Sequence, residues 1–192
     1  MTARLFAPVL WVGPTPPLDS SPLSREAFLR TEVTAAIEGV TAESKVAGTV
    51  EIGYQFGFPI AMPSSFDITM KTPDLSVTGG ANAKLAPQVT VGNGSGGGSL
   101  GEAGVNTSAT ATVLPSQEIK FTLNPSAGIT DVPVLKADLA WTVFQARYSD
   151  IEFHASNVIG QLTIRPYVKF TVETGAGKGS YLLSVYGTPT PV

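Results

Sequence analysis

Residues Leu75 to Val113 constrain the fold more than any other stretch. In the first limb the odd positions Leu75, Val77, Gly79, Ala81, Ala83, Leu85, Pro87, Val89 and Val91 are apolar or glycine. The even positions between them are mostly small and polar: Ser76, Thr78, Asn82, Lys84, Gln88 and Thr90. A period of two is the mark of a strand with one dry and one wet face. The return limb repeats it. Val105, Ala109, Ala111 and Val113 share one parity, with Thr107 as the exception, and Asn106, Ser108, Thr110 and Thr112 share the other. Between the limbs, GNGSGGGSLGEAG supplies free φ and no packing surface, so it reads as a turn or loose tip.

The stretch carries two charges, Lys84 and Glu102, where a solvated hairpin would carry many. Leu, Val and Ala opposite Ser, Thr, Asn and Gln suit a membrane barrel strand, with lipid outside and water inside. Seventeen residues from Leu75 to Val91, at ~3.3 Å each, extend roughly 56 Å. Tilted by ~40° they rise about 43 Å, against an apolar band of roughly 25 Å. Either the membrane is thick or part of the limb is a stem outside it. One hairpin cannot close a barrel, and open edges are not tolerated in lipid. Several copies must therefore each donate two strands. The expected fold is all-β: a β-sandwich body, residues 1–72 and 119–192, with a pore-forming hairpin at 73–118 that joins those of other protomers in a transmembrane β-barrel.

On this reading Ser76, Thr78, Asn82, Lys84, Gln88, Thr90, Asn106, Ser108, Thr110 and Thr112 line the lumen. Leu75, Val77, Ala81, Ala83, Leu85, Val89, Val91, Val105, Ala109, Ala111 and Val113 face lipid. Asn93, Ser95 and Glu102 at the tip are candidates for a constriction. Folding the hairpin about its tip puts Lys84 opposite Thr112 or Leu114.

The remaining chain reads as strands. Ala3–Val12 is one, followed by a Pro-rich connector over Gly13–Leu23. Ser24–Leu29 suits a short helix capped by Ser21 or Ser24. Alternation makes Thr31–Ile37 a strand, and Val46–Phe58 is a strong one closed by Pro59. Phe66–Lys71 and Glu118–Leu123 flank the hairpin. Val132–Tyr148 is rich in β-formers, Ile151–Ser156 is a further strand, and Ser180–Tyr186 is the last. In Gln161–Glu173 the alternation shifts phase at Arg165-Pro166, where proline demands an edge or a bulge. Trp11 and Trp141 are expected in the core. No apolar run reaches 18 residues, so no transmembrane helix is expected. Met1 reads as a start residue on an exported chain whose signal segment is absent.

Catalytic chemistry finds few candidates. Thr174–Ser180 (TGAGKGS) hints at a phosphate loop, but Val172 replaces its first glycine and Gly179 its hydroxyl residue. His154 is the single histidine, and there is no cysteine. A His-based metal cage or a Ser-His-Asp relay would have no second histidine to lean on, and His154 reads as a strand side chain. No cofactor, metal or enzymatic activity is expected. A net charge of −3 without a basic cluster argues against nucleic acid.

Several blocks resemble the MspA-type mycobacterial porins. Ser24-Arg25-Glu26-Ala27-Phe28 is similar to their T-R-E-W-F. Gly48-Thr49-Val50-Glu51-Ile52-Gly53-Tyr54-Gln55-Phe56-Gly57-Phe58-Pro59 resembles G-T-L-E-L-G-Y-Q-I-G-F-P. Thr72-Pro73-Asp74-Leu75 is similar to T-P-N-I at the entry to the pore hairpin. Leu162-Thr163-Ile164-Arg165-Pro166-Tyr167 resembles L-L-R-P-F, and Tyr186-Gly187 the terminal Y-G. The resemblance implies a homo-octameric goblet whose sixteen-stranded barrel crosses the mycolic-acid outer membrane, with export by a signal peptide. It further implies passive diffusion of ions and small hydrophilic solutes. That membrane is thick, which fits the long limb. One departure stands out: the family's acidic D-D-G-D cluster after P-N-I-L-I is replaced by Thr78-Gly79-Gly80-Ala81. Strong cation preference is therefore not implied, and eight copies of Lys84 would bias the lumen toward anions. Glu118 and Lys120 are expected to neutralise one another near the stem base. A secreted β-barrel toxin or a non-pore surface β module would use the same kind of hairpin.

Overall fold

A computed structural model describes all residues except 1, 40–45, 59–64, 74, 79–80, 86–102, 105–110, 115, 124–127, 140–142 and 175–178. The described chain forms two antiparallel sheets that face one another. The first carries β1 (Thr2–Thr15), β2 (Arg25–Glu38), β11 (Val143–Ser156), β4 (Phe66–Thr72) and β9 (Gln117–Leu123), in that order. Joined to it are β5 (Leu75–Thr78), paired with β11 and β8, and β8 (Ala111–Leu114). The second runs β13 (Ser180–Tyr186), β12 (Thr163–Thr174), β3 (Val46–Phe58), β10 (Gly128–Leu139), β6 (Ala81–Leu85) and β7 (Ala103–Gly104). A two-residue strand, β14 (Thr190–Pro191), pairs with β12 beside β13.

The core lies between the sheets. Alternate residues of β3 (Val50, Ile52, Tyr54, Phe56, Phe58) meet those of β2 (Leu29, Val33, Ala35, Ile37), and all are buried. Aromatic contacts bridge the layers: Phe56 stacks on Phe153 with centroids 5.5 Å apart, and Phe58 meets Phe66 edge-on at 5.2 Å. Thr31 Oγ1 and Tyr54 Oη, both buried, satisfy each other at 3.2 Å across the same gap.

Three bulges set which parity is buried. In β11 the buried residues are Phe144, Ala146 and Tyr148, then Ile151, Phe153 and Ala155. The change of parity falls where the register with β2 shifts between Tyr148 and Ile151, and Asp150 there has φ of 58°. A bulge adds one unpaired residue and so returns the apolar set to the same side. Val143–Ser156 is thus one strand, where alternation suggested a break. In β10 the same happens between Pro133 and Leu135, so that Val132, Val134, Leu135 and Ala137 are all buried. In β1 the shift lies between Phe6 and Val9, around Pro8, which has no N–H to lose from a ladder.

Other expectations need correction. Ser24–Leu29 is not helical: β2 begins at Arg25 and buries Ala27 and Leu29 on the same side as Val33 and Ile37. The Pro-rich connector is shorter than expected, since β1 continues through Thr15. β12 has no phase shift at Arg165-Pro166. Its pairing with β3 runs unbroken from Thr163–Gly57 to Thr174–Val46, and Ile164, Val168, Phe170 and Val172 all enter the core. Pro166 is accommodated because β12's other neighbour is interrupted there. β13 pairs from Tyr167 onward and β14 with Thr163 and Ile164. The Pro166 carbonyl accepts from Gly187 N at 2.9 Å in the gap. Trp11 is half exposed, 45 %, rather than core. Its ring folds back over Gly13 and lies 5.2 Å below the Arg30 guanidinium. Trp141 and the expected turns Asn124–Gly128 and Thr174–Gly179 fall wholly or mostly outside the described residues.

Candidate functional site

The hairpin is rooted in the first sheet. β4 and β9 pair from Phe66–Leu123 to Thr72–Gln117, and β5 and β8 continue in the same register from Leu75–Leu114 to Thr78–Ala111. Farther out, β6 and β7 pair Lys84 with Gly104 and Leu85 with Ala103, one residue out of that register. The described backbone thus places Leu75, Ser76, Val77 and Thr78 in β5, Ala81, Asn82, Ala83, Lys84 and Leu85 in β6, and Ala111, Thr112 and Val113 in β8. Gln88, Val89, Thr90, Val91, Asn93, Ser95, Glu102, Val105, Asn106, Ser108, Ala109 and Thr110 lie outside the described residues.

One expectation is overturned here. Lys84 does not stand opposite Thr112 or Leu114. Its partner is Gly104 on one edge and Lys136 of β10 on the other. The physical reason is the rooting of the hairpin. The buried residues Phe66, Ile68, Met70, Ile119 and Leu123 pin the register of β4 and β9, β5 and β8 keep it, and the pairing at Lys84 departs from it by a single residue, which leaves Thr112 and Leu114 near the root.

Beside the hairpin, the outer face of the first sheet is a lattice of opposite charges. Arg147 Nε meets Glu32 Oε1 at 2.8 Å, Arg30 Nη2 meets Asp150 Oδ1 at 2.7 Å, and Lys71 Nζ meets Glu152 Oε2 at 3.7 Å. Lys120 Nζ and Glu118 Oε2 are 3.3 Å apart, so the expected local neutralisation is present. Exposed pairs of this kind add little to stability. They do cancel the field that unpaired charges would project.

Three of the five blocks that carry the family resemblance are far apart in sequence and converge in space on the second sheet. On the outer face of β3, Glu51, Gly53 and Gln55 follow one another. Beside them on β12 stand Arg165, Tyr167 and Lys169, with register partners Arg165–Gln55, Tyr167–Gly53 and Lys169–Glu51. Arg165 Nε donates to Gln55 Oε1 at 2.7 Å, and Gln55 Nε2 donates to Asp131 Oδ1 of β10 at 2.8 Å. Lys169 Nζ donates to the second Asp131 oxygen at 2.9 Å and lies 3.8 Å from Glu51. The Tyr167 hydroxyl donates to Glu51 Oε1 at 2.9 Å. Tyr186, from the third block, takes the Arg165 guanidinium over its ring at 4.9 Å. Two cations and two carboxylates thereby close a neutral network.

Burial pushes the Tyr167 hydroxyl well above the ordinary phenol range, and the Glu51 charge adds to the effect. Burial pulls the Lys169 ammonium down, but its bond to Asp131 and the neighbouring carboxylates outweigh this and hold it above the usual lysine value. The block at Ser24–Phe28 acts as a clamp. Arg25 Nη1 donates to the carbonyls of Pro22 and Ser24, each at 2.7 Å, and Nη2 to that of Gly160 at 2.9 Å. Glu26 meets His154 Nδ1 at 3.1 Å, which gives the single histidine a structural partner on the neighbouring strand. Sequence reasoning missed Asp131 and Lys169, which no quoted block contains. Their charged side chains on otherwise apolar strands were the available signal.

The sequence itself matches known proteins. The MspA family profile matches residues 11–191. Porin MspD of Mycolicibacterium smegmatis is 25% identical over 173 residues, covering 90% of this chain and 73% of the relative. Porin MspB and Porin MspA of the same organism are each 24% identical over 173 residues, covering 90% of this chain and 70% and 72% of theirs. The chain belongs to the MspA family.

Proposed function

We propose that this protein is the subunit of an outer-membrane porin, a channel and not an enzyme. Hairpins from several copies, eight by resemblance to the family, close a water-filled barrel through a mycolic-acid outer membrane. Ions and small hydrophilic solutes diffuse through it passively. The observation that carries this reading is the family match over residues 11–191, which spans the hairpin and both halves of the body. The relatives it aligns with are porins by name.

The registers support a narrower crossing. In the β5–β8 ladder Ser76 stands opposite Val113 and Val77 opposite Thr112, so polar and apolar positions are mixed across the pair. In the β6–β7 ladder Leu85 stands opposite Ala103, and like meets like. A lipid-facing surface requires the two limbs to be in phase. We therefore assign Leu75–Thr78 and Ala111–Leu114 to a stem outside hydrocarbon, and the crossing to Ala81 onward. Ala81, Ala83, Leu85, Val89, Val91, Val105 and Ala109 then face lipid. Asn82, Lys84, Gln88, Thr90, Asn106, Ser108 and Thr110 face the lumen, with Asn93, Ser95 and Glu102 at the tip. The stem absorbs the excess length of the limb.

Single-channel recording in planar bilayers, with the mass of the assembly measured on the same sample, tests the reading. Discrete, long-lived conducting steps from an oligomer are expected. A protein that stays monomeric in detergent and never conducts overturns it.

A further inference from the structure

In this structure the edge of β6 is already occupied. Antiparallel pairing joins Ala81 to Leu139, Asn82 to Asp138, Ala83 to Ala137 and Lys84 to Lys136 of β10, while β7 holds the other edge. In a closed barrel each hairpin strand must pair with a hairpin strand on both sides. A strand held by β10 of its own body cannot do so.

The crossing cannot simply begin beyond β6. Six residues remain between Leu85 and the glycine tip at Gly92, and they extend only ~20 Å, or about 15 Å along a normal tilted by ~40°. The apolar band needs roughly 25 Å. Eleven residues from Ala81 to Val91 rise about 28 Å, which suffices. The β6 residues are therefore required for the span.

On the channel reading above, we propose that β6 is parked on β10 in the unassembled chain and is exchanged on assembly for the return limb of a second copy's hairpin. Two features suit β10 to release it. Lys136 faces Lys84 across the ladder, and like charges directly opposed weaken a strand pair. Lys136 and Asp138 are also exposed and charged, the composition of a strand that can stand at a sheet edge without recruiting another chain. β10 keeps β3 as its partner on the other side.

The absence of cysteine makes the test clean. Two double variants of the full chain, A83C with A137C and N82C with D138C, place cysteines at adjacent ladder positions, so both the close and the wide kind of pair are sampled. Each is oxidised mildly after monomer and assembled oligomer have been separated in detergent. A bond in the monomer fraction from at least one variant, at least tenfold more abundant than in the oligomer, is expected. K136E should raise the monomer yield and slow assembly several-fold, since it places opposite charges across the ladder. Equal bonding in both fractions overturns the exchange and leaves the channel reading intact. Bonding in neither fraction overturns the parked state. A chain with no assembled fraction overturns the channel reading and the exchange with it.

Discussion

The Tyr167 hydroxyl reaches Glu51 by crossing directly over Gly53, its own register partner. A Cβ at Gly53 would lie 2.5 Å from the Val132 carbonyl oxygen and 2.6 Å from the Tyr167 hydroxyl. The glycine is thus the floor on which the polar network is laid. Gly53→Ala should destabilise the body by about 1–3 kcal/mol through overpacking against backbone. Tyr167→Phe, which removes a hydrogen bond to a carboxylate, should cost about 1.5–3 kcal/mol. Urea denaturation of the unassembled chain measures both. An unchanged midpoint for Gly53→Ala would show that the ring does not rest there.

Alkaline pH should loosen the body. Tyr54, Tyr148 and Tyr167 all have hydroxyls raised by burial, and Lys169 is held above its usual value once Asp131 offsets its own burial. For each, the folded chain keeps a proton that the unfolded chain gives up, so stability is intact below the unfolded values near ~10 and falls as pH rises beyond them. The acid limb has a contributor of opposite sign. Asp19 is lowered by the Ser24 hydroxyl and the Ser21 amide, so its contribution is present above the unfolded carboxylate value and is lost as pH falls through the folded one. Denaturation midpoints between about pH 8 and 11.5 should decline above ~10, with a shallower slope in Tyr167→Phe.

Much of the body was legible from alternation alone. Val46–Phe58 forms a strand over the same residues that the sequence suggested, because Val50, Ile52, Tyr54, Phe56 and Phe58 are all core and no bulge interrupts it. Legibility failed where a bulge flips parity, as at Asp150 and Val134, since a pattern that changes phase looks like two elements or none. Arg165-Pro166 failed in the opposite sense. Tyr167 is a large buried residue on the outer face, roofed by Lys169, and its bulk mimicked a core position. The strand at Ser24–Leu29 was hidden by good helix formers, which tertiary pairing with β1 and β11 overrides. The convergence of the family blocks could not be read, because strand order is not written in any single strand. Nor could the register at the root of the hairpin, which β5 and β8 share with β4 and β9.

Tyr148 and Tyr54 offer a paired test of buried hydroxyls. Tyr148 Oη is buried and has no hydrogen-bond partner among the described residues, whereas Tyr54 Oη is satisfied by Thr31. Tyr148→Phe removes a group whose desolvation is uncompensated and should raise stability by about 1 kcal/mol. Tyr54→Phe leaves the Thr31 hydroxyl alone in the core and should lower it by about the same amount. The urea midpoints should move in opposite directions with the slope unchanged. Equal losses from both would indicate that Tyr148 has a partner.

Lys84→Glu addresses the lumen directly. On the channel reading, Lys84 and Glu102 are the charges of the stretch from Leu75 to Val113, and neighbouring charges on the first sheet's outer face are paired as Lys71–Glu152, Lys120–Glu118 and Arg147–Glu32. A ring of ammonium groups favours anions, and a ring of carboxylates in its place should move the reversal potential in a salt gradient toward cations, by several-fold in permeability ratio. The effect should shrink as salt rises, because the screening length falls from about 10 Å at 0.1 M to about 3 Å at 1 M. The same substitution places Glu opposite Lys136 in the parked ladder and should reduce the number of channels formed. Single-channel records separate these effects, since selectivity is a property of each open pore and channel count is not. A reversal potential identical to that of the unmodified protein at 0.1 M would place Lys84 outside the permeation path.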